Sequence, residues 1–199
     1  MRGEGSLAEI SFNPDMLYRV PLRMVYLSSL SYIVYYETCQ VNSGLTNQVW
    51  SIDFMHDQLS DQRNYRLFNV MDDFKREGLA IEAGFSLPSI RVIRVLNQLL
   101  EWREKPVAIR CDNGPEFISN EFVEWAKSKN IRIDYIQPGN PQQNAYIERH
   151  NRTIRFSWVS KHLFDSLEQV QDYATKWLWF YNNERPHKAN GGRPPLMAA

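Results

Sequence analysis

Three carboxylates, Asp53, Asp112 and Glu148, carry the chemistry most legible in this chain. Asp112 and Glu148 are separated by 35 residues, and all three sit in stretches whose neighbours suit them to binding metal. Carboxylates converging from separate elements are what a phosphodiester-cutting site with two Mg²⁺ (or Mn²⁺) ions requires. Mg²⁺ takes hard oxygen ligands in near-octahedral geometry and leaves positions for water and phosphate. Paired ions activate the attacking oxygen and stabilise the leaving one during in-line displacement. The bland alternative for any one Asp is a solvated surface charge. No Ser, Tyr or Cys constellation suits a covalent enzyme intermediate.

The elements that must position these acids follow from periodicity. Residues 48–57 alternate as a strand, with Val49, Trp50, Ile52 and Phe54 dominating and Asp53 interrupting the run. A charge inside an apolar strand is costly unless it has partners. Residues 64–74 and 78–85 are predicted as the next two strands. Pro88 opens a helix whose apolar positions Ile90, Ile93, Leu96, Leu99 and Leu100 recur at helical spacing. Val107, Ala108 and Ile109 form a buried strand ending at Cys111-Asp112, and Asn113-Gly114 turns the chain, the glycine tolerating positive φ and letting the chain leave the strand sharply. A short helix over 121–128 and a strand over 131–136 come next. A loop with Pro138, Gly139 and Pro141, mobile by composition, then leads to a long helix over 142–161. On that helix Glu148, Arg152 and Arg155 share a face, and Ile147, Ile154 and Trp158 are available for packing. A final helix over 166–180 directs Leu167, Val170, Tyr173, Ala174, Trp177 and Leu178 inward.

Several ordered motifs give these elements a likeness. The runs around Asp53 (VWSIDF), Asp72-Asp73 (VMDDF) and Asp112 (CDNGPEF) resemble the integrase-type core of bacterial insertion-sequence transposases, relatives of retroviral integrases. So do those around Glu148 (NAYIERHNR) and Asn182-Asn183 (YNNERPH). The closest likeness is to the insertion-sequence-three group, from about Asn47 to the C-terminus. The resemblance implies a ribonuclease H-like α/β fold, a mixed five-stranded sheet flanked by helices. Asp53 would lie on the central first strand and Asp112 at the end of the adjacent fourth. It implies a DDE transposase that cleaves and joins double-stranded DNA as a homo-oligomer. Water frees a 3′-hydroxyl that attacks a second phosphodiester. Glu116 belongs to the motif without being a ligand. Asp72 and Asp73 are read as turn acids, and Asp57 as too far along its strand to ligate. The terminal Asn-Asn-Glu-Arg-Pro run is either a DNA or subunit contact or a helix terminator. Two other readings stay open: a non-catalytic DNA-binding remnant acting in trans, and a ribonuclease H-like nuclease.

Bulk composition says less. A chain of 199 residues, 43% hydrophobic and 13% aromatic, is long and apolar enough to bury a core. Its net charge of zero gives no hint of a polyanionic partner. The distribution is more useful: between Pro141 and His162 the bases Arg149, Arg152, Arg155 and Lys161 face one acid, Glu148. Such a stripe suits phosphate contacts, the alternative being an ordinary solvated helix face. Asn144 and Asn151 are candidates to orient ligands and phosphates beside it. Cys39 and Cys111 are too few for a disulfide framework, which points to the cytoplasm, and the four histidines lack zinc spacing. The apolar stretch 24–36 is too short to span a bilayer. Three segments are expected: a divergent or truncated extension over 1–46, a catalytic core over 47–165, and the core's C-terminal helix and tail over 166–199.

Overall fold

The computed structural model describes residues 46–137, 139 and 141–198, which fall within one compact unit, Cys39–Ala199. The expectations for residues 1–45 lie outside the described residues, as do Pro138 and Asn140 of the predicted loop. Five strands, β1 (Val49–Gln58), β2 (Asn64–Asp72), β3 (Gly78–Gly84), β4 (Ala108–Cys111) and β5 (Arg132–Tyr135), form one sheet in the order β3-β2-β1-β4-β5. β1 runs antiparallel to β2, and β2 to β3, whereas β1–β4 and β4–β5 are parallel. The sheet is therefore mixed, with β1 at its centre. Helices α1 (Ser89–Leu100), α2 (Asn120–Ser128), α3 (Ala145–Ser157) and α4 (Leu167–Asn183) follow in the predicted order.

The two faces of the sheet bury different sets of side chains, as the two-residue period of a strand demands. Trp50, Ile52 and Phe68 pack with Val92, Leu96, Phe122 and Trp125 of α1 and α2. Met55, Leu67 and Ile81 point the other way, into a second core with Ile154, Trp158, Val170, Ala174 and Trp177 of the α3–α4 side. Fully burying each large apolar side chain contributes roughly 1.5–3 kcal/mol. Asp53, two residues before Met55, shares this second face.

An edge strand presents unpaired backbone groups, and α4 answers those of β3 with side-chain amides. Gln171 Oε1 accepts from Ala83 N at 2.7 Å and its Nε2 donates to Ile81 O at 2.9 Å. Asn182 Oδ1 accepts from Gly78 N at 2.9 Å and its Nδ2 donates to Gly78 O at 2.7 Å. Eleven helical residues rise about 16 Å, close to the ~16 Å that five strand residues span. The helix thus runs antiparallel to the strand it seals. Asn182, from the terminal motif, is a clamp on the sheet.

Departures from the predicted elements have local causes. β2 stops at Asp72, because Asp72 Oδ1 accepts from Phe74 N at 2.9 Å and Lys75 N at 3.0 Å and folds the chain into a turn. Asp72 and Asp73 are turn acids, yet both are fully buried. Asp73 accepts from Ser51 Oγ at 2.6 Å and Arg110 Nη1 at 2.7 Å, a pairing that ties β1, the β2 turn and β4 together. Ile90 is 71% exposed; α1 buries Val92, Val95, Leu96 and Leu99 instead. The helix expected over 142–161 is broken. A 3-10 turn, Pro141–Asn144, precedes α3, and Trp158 leaves helical geometry at φ −148° before a second 3-10 turn, Val159–Lys161. That break accompanies the full burial of Trp158, stacked on Tyr173 at 5.2 Å. α4 runs on through Asn183 to complete the Asn182 clamp.

Candidate active site

Asp53 sits mid-β1 opposite Asn69 of β2. Ser51 of β1 is paired with Arg110 of parallel β4. Extending that register by two residues on each strand sets Asp112, just beyond β4, alongside Asp53. Glu148 occupies the exposed first turn of α3. Its helix is joined to Asp53 by a short polar chain: Asn69 Nδ2 donates to Asn151 Oδ1 at 2.8 Å, and Asn151 Nδ2 donates to Asp53 Oδ2 at 2.7 Å. The second Asp53 oxygen accepts from Phe54 N at 2.8 Å. Burial, opposed by the Phe54 hydrogen bond and reinforced by the charges of Asp112 and Glu148, pushes the Asp53 carboxyl up to about 6. Each of the other two acids therefore acts electrostatically on Asp53.

The turn after Asp112 is held by that residue's own carboxylate, whose Oδ1 accepts from Gly114 N at 2.9 Å. Gly114 is not among the residues with positive φ, so the turn does not use the freedom that glycine offers there. Space is the reason for glycine here: a Cβ would lie 2.9 Å from Asp112 Oδ1. Asn113 Nδ2 fastens the same turn to Ile136 O at 3.3 Å.

Among the described residues, no three His, Cys, Asp or Glu side chains stand close enough together to hold a metal ion without moving. Asp53 and Asp112 are turned onto neighbouring N–H donors, and Glu148 is exposed on the first turn of α3. The chemistry of the donor set nonetheless fits a divalent cation. All donors are hard carboxylate oxygens, and Asp53, raised chiefly by burial and further by the charges of Asp112 and Glu148, is a group whose charged form a cation would favour.

The predicted DNA contacts divide. Arg149 and Arg152 are exposed on α3. Arg155 is engaged with the end of β1, donating to Asp57 Oδ2 at 3.1 Å and His56 O at 2.9 Å. Lys161 lines a cavity of about 520 Å³ with Lys176, Trp177, Phe180 and Arg185, which none of the three carboxylates lines. Asn144 and Asn151, expected beside the DNA, are buried. Asn151 has both polar atoms committed, so it orients Asp53 instead of reaching a phosphate. The sequence reading missed Asn69. A lone Asn in the apolar run Leu67-Phe68-Asn69-Val70-Met71 must have a buried partner, and that signal was available.

An open mixed sheet of this order, with Asp53 midway along β1, Asp112 just beyond β4 and Glu148 on α3, is that of the ribonuclease H-like class. Solved structures agree. The chain is similar to a subunit of the simian T-cell lymphotropic virus intasome in complex with a PP2A regulatory subunit (TM-score 0.65, 24% identity, 78% of this chain and 55% of that one). It is also similar to the HTLV-2 integrase catalytic core domain in complex with magnesium (TM-score 0.62, 25% identity, 77% and 97%). The integrase core domain family matches residues 45–141 and again 129–195, and the chain belongs to it. It is 40% identical over 157 residues to an insertion element IS476 protein of Xanthomonas euvesicatoria, covering 79% of this chain and 45% of that protein. An insertion element IS407 protein of Burkholderia multivorans is 38% identical over 146 residues, covering 73% and 53%. The chain thus spans about half the length of these relatives. Among the described residues, no helix is long and apolar enough to cross a membrane.

Proposed function

We propose that this chain is the catalytic core of a bacterial insertion-element transposase, cutting DNA and transferring the freed strand with divalent cations held by Asp53, Asp112 and Glu148. The observation that carries the proposal is the Asp53–Asn151 hydrogen bond, which couples the strand bearing one acid to the helix bearing another. Family membership supports this reading over a nuclease or a non-catalytic remnant. Two bound Mg²⁺ or Mn²⁺ ions would activate the attacking oxygen and stabilise the leaving one.

The protein's own groups do the rest. Asn151 and Phe54 N hold the Asp53 carboxylate and favour its charged form, while Gly114 N holds that of Asp112. Exposed Arg149 and Arg152 track the phosphate backbone of duplex DNA. Water attacks one phosphodiester and releases a 3′-hydroxyl, which attacks a second phosphodiester and releases its 3′-oxygen. The working form is a homo-oligomer on DNA in the bacterial cytoplasm, at the nucleoid. The neighbouring structures, an intasome and a trimeric integrase core, support assembly.

The test is incubation of the purified chain with end-labelled duplex carrying an element terminus and supercoiled target plasmid, with Mg²⁺, with Mn²⁺ or with EDTA. Mg²⁺-dependent 3′-hydroxyl ends and joined products are expected. Binding of the duplex with no cleavage under either divalent metal would favour the non-catalytic remnant.

A further inference from the structure

The face of β1 opposite Asp53 carries a second polar cluster. Arg66 of β2 is paired across from His56, and its guanidinium ion-pairs with Glu116, in the turn that follows Asp112. Both partners are mostly buried, at 22% and 15% side-chain exposure. The Arg66 Cζ also lies 3.8 Å from the centroid of the Phe54 ring. Phe54 in turn stacks on Phe117 at 5.2 Å and 15°. Phe54 immediately follows Asp53, and Glu116-Phe117 close the turn that begins at Asp112, with Phe117 N donating to Gly114 O at 2.9 Å. One guanidinium therefore bonds the Asp112 turn and at the same time covers the residue next to Asp53.

We infer that Arg66 is a positioning residue that fixes the separation of Asp53 and Asp112 by holding Glu116 against Phe54. The inference rests on the proposed metal-dependent reading and extends it to residues on the far face of the sheet. The β1–β4 pairing ends at Ser51–Arg110. Beyond it, backbone ladder bonds no longer set the distance between the two strands. The Arg66–Glu116 pair and the Phe54–Phe117 stack take over where that ladder stops. Arg suits the position because its planar group pairs with a carboxylate and lies on an aromatic face at once. Partners that orient metal-binding side chains typically change metal affinity or activity by about 10- to 100-fold when removed.

The test compares the full chain with Arg66→Met, Arg66→Lys, Glu116→Gln, the Arg66→Met/Glu116→Gln double variant and the reversed pair Arg66→Glu/Glu116→Arg. Two quantities are read: the Mn²⁺ concentration giving half the metal-induced rise in unfolding temperature, and duplex affinity without metal. Arg66→Met and Glu116→Gln are expected to need at least about tenfold more Mn²⁺, with duplex affinity unchanged. The double variant should be no worse than either single one, Arg66→Lys intermediate, and the reversed pair partly restored. Should Arg66→Met not fold, Glu116→Gln carries the comparison, since it keeps side-chain volume. A wild-type Mn²⁺ requirement in Glu116→Gln, or additive effects in the double variant, overturns the inference. Asp53→Asn separates it from the underlying reading. If wild type and Asp53→Asn respond to Mn²⁺ alike, the metal site itself is wrong and the inference falls with it. If only Asp53→Asn loses the response, the inference alone fails.

Discussion

Asn151 of α3 donates to Asp53 of β1 at 2.7 Å while accepting from Asn69 of β2 at 2.8 Å. This relay fixes the helix that carries Glu148 against the strand that carries Asp53. Asn151→Ala leaves the Asn69 amide and one Asp53 oxygen without partners, which costs about 1–3 kcal/mol for a buried group. The variant should unfold at lower urea and cut DNA at least about tenfold more slowly. Urea titration and single-turnover cleavage check both halves. Loss of stability with full cleavage would make the relay purely structural.

Gly114→Ala separates space from backbone freedom. An added Cβ would meet Asp112 Oδ1 at 2.9 Å, and the turn requires no positive φ. The expected result is a normally folded protein with strongly reduced cleavage, because the displaced group is a proposed ligand. Circular dichroism and a cleavage assay on the same preparation decide it. Unchanged cleavage would mean that Asp112 moves aside without consequence.

Much of this arrangement was legible in the sequence, and the parts that were not have identifiable reasons. Period-two alternation located β1, with its buried residues Trp50 and Ile52, and helical spacing located α4. The Asp-Asn-Gly-Pro-Glu-Phe run marked the turn at Asp112. Roles that depend on a partner distant in the chain were hidden. Arg155 looked like a free cation on the Glu148 face, but its partner Asp57 lies 98 residues away. The run holding Asn182 was open between a DNA or subunit contact and a helix terminator, but Asn182 clamps Gly78, 104 residues away. Ile90 was counted in the α1 stripe, yet on a helix of 3.6 residues per turn it falls on the side opposite Val92, Val95, Leu96 and Leu99, and it is exposed.

His150 gives the fold an acid sensitivity. It is buried between Gly78, Trp177 and Tyr181, and neither ring nitrogen has a hydrogen-bond partner among the described residues. Burial, then the neighbouring charge of His187, holds it down to about 3 from an ordinary 6.5. Below pH 6.5 the unfolded chain takes up a proton that the native state refuses. Stability is fully present above that pH and declines by about 1.4 kcal/mol per pH unit as pH falls toward 3. Urea unfolding at pH 7.5 and 5 should show about 2 kcal/mol more loss in wild type than in His150→Leu. Parallel losses in the two proteins would exclude His150 as the cause.

The exposed and engaged arginines of α3 should behave differently. Arg149→Ala/Arg152→Ala should lower the slope of log affinity for duplex against log salt by about one per lost phosphate contact. Arg155→Ala should leave the slope intact and loosen the fold slightly, because its partners are Asp57 and the His56 carbonyl. Salt titrations of duplex binding distinguish them. A slope change confined to Arg155→Ala would reverse the assignment.

The central claim is that Asp53, Asp112 and Glu148 act as one metal-dependent site, and isosteric neutralisation of each tests it most directly. Asp53→Asn, Asp112→Asn and Glu148→Gln should each abolish Mg²⁺- and Mn²⁺-dependent strand cleavage while still binding duplex. Asp53 is raised by burial and by its two neighbours, so its charge opposes folding above about pH 6. Without metal at pH 7.5, Asp53→Asn should therefore unfold at the same temperature as wild type or a higher one. Cleavage at the wild-type rate by any one of the three variants would contradict the account.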